Sequence, residues 1–413
     1  MGRRFKIIEI KKPHDSRRMI QLDVLRGIAI LLVFGSHYVV GPKEAGQLRI
    51  PATMWFRLGG SGVDLFFVLS GFLVGGLLMR ELRLYGKLDV RRFLVRRAWK
   101  IWPVYYLYLL FITITLIVTK AHFAAPLPLM ISQFVFNLQN YNVLHLPYDA
   151  PMFAGHTWSL AVEEHFYLML PLLLLFLSGN KKRLVWIPWI ALGLDIVCLY
   201  LRHRLPMPFR PWVQLDPTHL RIDSLFTGVV LAYWYHFRPD IMAMLSRYRM
   251  LLTIVGLALL VPRALFPVEE HPFIWSYGFT CLSLGYACLL TVCVTTPVGE
   301  GRLGRWFGSR FARSLAFIGG FSYSTYIWHI DLVMNPFKSR IDAGLLAGLP
   351  ASVRWVTLTT IYIAAAAAVG TVLARMTERP ALLLRDSLFP ARSDALGGVA
   401  AADASPVTRE EAG

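Results

Sequence analysis

Charge is scarce in this chain, and acidic charge is the scarcest. Only 16% of its 413 residues are charged, and 25 Asp and Glu face 43 Lys and Arg. With 56% hydrophobic residues and a mean hydropathy of +0.51, that composition excludes an ordinary soluble domain and points to a polytopic membrane protein. Cysteine is scarce too. Cys198, Cys281, Cys288 and Cys293 fall in apolar runs without metal-ligand spacing, so they read as buried thiols and no metal site is expected. The chain has no GxSxG elbow, no HExxH pair and no Walker loop, which removes three common catalytic frameworks. It has no internal repeat and no paired broken helices, marks that many transporters carry. A cleavable signal is not expected either, because the apolar run behind the basic N-terminus is too long for one.

What is present is a series of apolar runs separated by short basic segments, with 12 Trp, 17 Tyr and 26 Phe to pack in lipid and mark its interfaces. The net charge of +18 would suit a nucleic-acid binder. Its placement between spans is instead the positive-inside pattern, which implies membrane lipid and no nucleic acid. The runs predict an all-α polytopic bundle of about ten transmembrane helices. They cover 22–40, 58–79, a third ending near 119, 156–177, 184–201, 221–237, 250–265, 273–294, 314–334 and 355–374. Residues 80–100 read as a basic loop, and 120–155 as a long loop with a short interfacial or re-entrant piece near 129–138. Segments on one side carry thirty Lys and Arg and those on the other twelve, with Arg26 inside the first span. That imbalance puts both termini in the cytoplasm. Residues 1–20 are then a basic cytoplasmic N-terminus, 21–375 the membrane domain, and 376–413 a cytoplasmic tail with a disordered end.

The first span, LDVLRGIAILLVFGSHYVV, contains Asp23, Arg26 and His37. Ionisable groups are costly in hydrocarbon, so each marks a candidate site. Arg26 and His37 are eleven residues apart, close to three turns, and share a face about 16 Å apart along the axis. Arg26 offers a fixed cation near the membrane surface, and His37 an imidazole that exchanges protons near neutral pH. The plainer alternative makes Arg26 an interfacial anchor and His37 a polar group bonded to a neighbouring helix. Other spans carry Asp64, the pair Glu163 and Glu164, Asp223 and His329. Asp64 reads as a structural partner for Arg26 or a cap near Gly60 and Gly62. Glu163 and Glu164 point about 100° apart, so only one is expected at a given site, and Glu163 shares its side with Ser159 and Tyr167. His329 reads as an interfacial histidine. The run 91–100 suits lipid and topology, or an anionic, phosphate-bearing ligand. General-base chemistry on a bound hydroxyl fits His37 best.

Six stretches, in order, resemble one family, the integral-membrane acyltransferase-3 family. They are LDVLRGIAILLVFGSHY, GVDLFFVLSGFLVGGLL, RRFLVRRAWKIWPVYYLYL, HTWSLAVEEHFYLMLP, RIDSLFTGVVLAYW (with Asp223) and FSYSTYIWHIDL (with His329). The likeness runs from about Gln21 to Arg375. It implies transfer of an acyl group, usually acetyl, from cytoplasmic acyl-CoA to a hydroxyl of a sugar or lipid-linked glycan, with no bound cofactor. Carried over by position, His37 is the catalytic histidine and Arg26 its partner on the acyl-donor path. Arg97 and Lys100 fall on the family's Arg-x-x-Arg, where Lys keeps the charge but loses the bidentate fork. Trp158, Ser159, Glu163 and Tyr167 stand in its WSLxxExxFY segment. His37 would either deprotonate the acceptor or carry the acyl group itself, with Glu163 orienting it. The setting implied is a bacterial inner membrane, and the product a modified polysaccharide or lipopolysaccharide. Some relatives carry an extra hydrolase-like domain, for which no room is expected after the tenth helix. The rival reading is a proton-coupled transporter of a small polar solute.

Overall fold

Backbone groups in lipid find no water, so a spanning segment must satisfy its own hydrogen bonds, and a helix does so within itself. The computed structural model describes residues 19–390 except 39, 121–125, 142–153 and 207, and these described residues form helices and no strand. The basic segment 1–18 and the end of the tail, 391–413, lie outside them. The first helix, α1 (Ile20–His37), ends at the histidine. After α2 (Arg49–Gly59) come α3 (Gly62–Tyr85), α4 (Val90–Val118) and the short α5 (Leu127–Val135). Then follow α6 (Trp158–Ser178), α7 (Ile187–His203) and α8 (Ile222–Phe237). A bent pair, α9 (Pro239–Arg247) and α10 (Arg249–Leu265), precedes α11 (Phe279–Val294). The chain ends in α12 (Arg310–Gly320), α13 (Ser322–Trp328), α14 (Ala351–Leu373) and α15 (Arg379–Leu388).

Among the described residues seven helices are long and apolar enough to span, or eight if the pair bent by 83° counts as one. The expected span 221–237 is a 16-residue helix. The expected span 314–334 is broken at Phe321, where the Gly319-Gly320 end of α12 stops, and it finishes as a π-turn over His329–Met334. The larger correction concerns 80–100. Residues 91–100 are no loop but the first turns of α4, capped by the Asp89 side chain accepting from the Arg92 N–H at 3.0 Å. The tail begins as helix, and its expected disordered end lies outside the described residues. Helix continues through a π-turn at Ala374–Glu378 into α15.

Two seams hold the frame. At the crossing of α3 with α8, a Cβ on Gly71 would collide with the Leu225 carbonyl, and one on Gly228 with the Val68 carbonyl. At the crossing of α1 with α12, Gly27 abuts the Leu315 carbonyl and Gly319 that of Asp23. Small residues let backbones touch, which is how helices associate without a hydrophobic drive. Gly71→Val is therefore expected to leave little folded protein, read as loss of the monodisperse peak on detergent gel filtration. Gly193→Val, which meets nothing within 4 Å, should keep that peak.

Buried ion pairs tie the same frame. Arg221 donates to Asp64 Oδ1 at 2.5 Å and lies over the rings of Phe279, Trp158 and Phe67. Arg202 donates to Asp223 Oδ2 at 2.7 Å. Asp64 thus neutralises Arg221, 157 residues away, and not Arg26, whose near carboxylate is Asp23 at 3.9 Å. Asp223 and Trp158 likewise serve these arginines. Asp216, in the segment before α8, is pushed up to about 7 by burial, with Arg221 opposing, so near neutral pH it is a weaker counter-ion than a fully charged carboxylate.

Candidate active site

Arg97 and Lys100 are three residues apart on α4, so they share a face. That face borders two cavities in succession. The outer one, about 340 Å³, lies among the end of α3, the start of α4 and α15, and its cations are Arg80, Arg92, Arg96, Arg97, Lys100 and Arg385. The inner one, about 90 Å³, is lined by the same Arg97 and Lys100 and also by Arg26, Ser70, Ser159, Glu163, Glu164, Tyr167 and Tyr326.

Inside, polar groups are linked in short chains. Arg97 is stacked between the rings of Phe93 and Tyr167, each 5.6 Å away. Tyr167 donates to Glu163 Oε2 at 2.6 Å, and Ser70 Oγ lies 2.9 Å from the Tyr167 hydroxyl, which it can supply with a proton. Trp102 reaches Glu164 at 3.4 Å. Both glutamates line the cavity, although adjacent helix positions diverge by about 100°; the cavity is wide enough there to be met from both directions. Lys100 lines both cavities as Arg97 does.

His37 lies deeper, at the end of α1, in a cluster with His156 and His329 whose ring centroids are 5.1 to 6.5 Å apart. Its tautomer follows from the acceptors. His329 Nδ1 is 2.7 Å from the Tyr326 carbonyl, which can only accept, so Nδ1 carries the proton. In the neutral ring Nε2 then accepts, and it lies 2.9 Å from His37 Nδ1. His37 Nδ1 is therefore the protonated nitrogen, and His37 Nε2 keeps a free lone pair. His156 is held alike, its Nε2 donating to the Ile327 carbonyl at 3.0 Å. Instead of an interfacial histidine, His329 is buried, 1% exposed, and it takes the orienting contact expected of Glu163, whose own partner is Tyr167.

Tyr326 joins the two regions. It lines the inner cavity, and its ring lies 5.9 Å from His329 and 5.5 Å from His156. Its hydroxyl donates to the His156 carbonyl at 2.6 Å and lies 2.7 Å from Ser159 Oγ. No histidine of the cluster lines the cavity, but Tyr326 lines it and also packs against two of them. Sequence reasoning did not single out Tyr326, His156 or Arg385. The first two sit inside quoted motifs, but nothing in spacing joins residues 170 positions apart.

The acyltransferase-3 family's profile, described as an acyltransferase domain, matches residues 19–375. Among curated proteins, O-acetyltransferase OatA of Staphylococcus aureus strain NCTC 8325 / PS 47 is 27% identical over 346 residues, covering 79% of this chain and 52% of its own. A provisionally named O-acetyltransferase of strain MSSA476, SAS0844, is 28% identical over the same length and shares. The chain spans about half the length of the curated relatives it matches. No solved structure matches.

Proposed function

The chain belongs to the acyltransferase-3 family, and from that premise we propose that it moves an acyl group, most simply acetyl, from cytoplasmic acyl-CoA to a hydroxyl of a carbohydrate or lipid-linked glycan. The observation that carries the reading is the pair Arg97 and Lys100, which lines both cavities with cations. In this proposal both termini face the cytoplasm of a bacterial inner membrane, residues 21–375 are the acyltransferase unit, and the outer cavity receives the phosphates of the donor. Arginine's planar fork matches phosphate oxygens. The pantetheine arm extends along the inner cavity past Arg26 and Glu163. The thioester then passes Tyr326 to meet the acceptor at His37.

At His37, Nε2 takes the hydroxyl proton as the oxygen attacks the thioester carbonyl, and the carbon–sulfur bond breaks to release the thiol form of the donor. The proton held on Nε2 is the one returned to the leaving sulfur. His329 fixes the ring and stabilises the imidazolium through the shared hydrogen bond. The alternative, in which Nε2 itself accepts the acyl group and passes it on, uses the same lone pair.

The test is transfer or hydrolysis of radiolabelled acetyl-CoA by purified protein, with wild type beside Arg97→Gln. Losing a charge-assisted contact of roughly 1.5–3 kcal/mol should raise KM about tenfold or more. If the wild type consumes no acyl-CoA while solute uptake is measurable, the donor assignment falls and transport takes its place.

A further inference from the structure

Helix α15 lies beyond residues 19–375, the part that the family profile covers, yet it supplies Arg385 to the outer cavity. Ala351 to Leu388 form one continuous helical run of 38 residues. At 1.5 Å per residue that is about 57 Å, well over the roughly 30 Å of a hydrocarbon core, so part of the run lies outside it, and the α15 end with Arg379, Arg385 and Asp386 is the part least suited to hydrocarbon. The basic start of α4 stands beside it. Arg96 donates to the Phe389 carbonyl, and its Nη2 is 3.1 Å from Asp386 Oδ1. Arg385 grips the same carboxylate in a fork, Nε to Oδ1 at 2.9 Å and Nη2 to Oδ2 at 3.0 Å.

A carboxylate 52% exposed is held between two guanidinium groups that line a cavity with six cations, and paired guanidinium groups suit a phosphate equally. The cavity's one lining acid is Glu81. We propose that α15 is the outer wall of a phosphate subsite, in which Arg385 and Arg96 hold a phosphate of an anionic ligand and Asp386 is the resident counter-ion that this phosphate displaces. The proposal rests on the reading above, in which a phosphate-bearing donor enters through this cavity. The exchange has a direction. A phosphomonoester carries about −1.5 to −2 near pH 7 against −1 for a carboxylate. Asp386 is already half in solvent, so releasing it removes little buried contact.

The two residues therefore give effects of opposite sign. Removing Arg385 weakens binding, whereas neutralising Asp386 frees two guanidinium groups and tightens it. A purely structural role for α15 would make both changes harmful. The experiment is calorimetric titration of the purified full chain in detergent with coenzyme A, with pantetheine, which lacks the phosphates, and with dihexanoyl phosphatidylglycerol. Arg385→Glu should weaken coenzyme A binding about tenfold or more, Arg385→Lys less, and Asp386→Asn should tighten it several-fold, with pantetheine unaffected. Wild-type binding of coenzyme A that Arg385→Glu leaves unchanged, or a loss in both Arg385→Glu and Asp386→Asn, overturns the subsite and spares the donor reading. If the wild type binds the short-chain lipid but not coenzyme A, with the same opposite signs in the variants, the subsite stands with a lipid headgroup as its ligand and the donor reading falls. If it binds neither, both fall.

Discussion

Alanine at position 37 is expected to cut acyl transfer by about 10²–10⁴-fold, the range a positioned general base supplies, in protein that still elutes as a folded bundle. Its partner separates two explanations. In the bonding derived above, His329 accepts from His37 Nδ1 and donates to the Tyr326 carbonyl. A glutamine can offer both functions, since its amide accepts at oxygen and donates at nitrogen. His329→Gln should therefore retain much more activity than His329→Ala, in which His37 is free to hold its proton on the wrong nitrogen. The readout is kcat with acetyl-CoA, with KM for the donor little changed in both. Equal activity in the two His329 variants would remove the tautomer argument while leaving His37 in place.

The second large effect concerns folding. Arg221→Met leaves Asp64, 2% exposed, without its cation inside the bundle. Breaking a buried pair from one side costs about 3–5 kcal/mol, because the remaining charge keeps its desolvation penalty. Asp64→Asn has the mirror fault, leaving Arg221 unneutralised. The double change Asp64→Asn with Arg221→Met removes both charges and should recover most of the loss. The measurement is thermal unfolding of the four proteins in one detergent. Additive damage in the double variant would mean that the three rings around Arg221 carry the stability, and not the pair.

The first helix was legible because eleven residues make three turns, whatever surrounds them. The helical character of most other spans was legible for a similar reason. Long apolar runs in lipid have few alternatives to helix. The basic stretch 91–100 was misread because a charge run says nothing about whether it is helical, and the cue, Asp89 as the cap, is one residue. The partners of Asp64 and His37 were out of reach for another cause. They lie 157 and 292 positions away, and no local period links such distances. The double presence of Glu163 and Glu164 at one cavity was missed because helix geometry gives directions, while the cavity's width comes from neighbouring helices.

The glycine seams have a consequence for the cell's energy supply. Where glycine meets a backbone carbonyl at Gly71, Gly228, Gly27 and Gly319 there is no room for a side chain, so α1 with α12 and α3 with α8 pack in direct contact as a close-fitted frame. In the proposed function the acyl group crosses this frame on the donor's flexible arm, and the frame need not open first to one side and then to the other. The inner cavity is small, about 90 Å³, and Tyr326 is part of its lining. On the function proposed above, a tethered acyl group crosses without an open channel for protons, and growing cells that overproduce the protein are expected to hold their membrane potential.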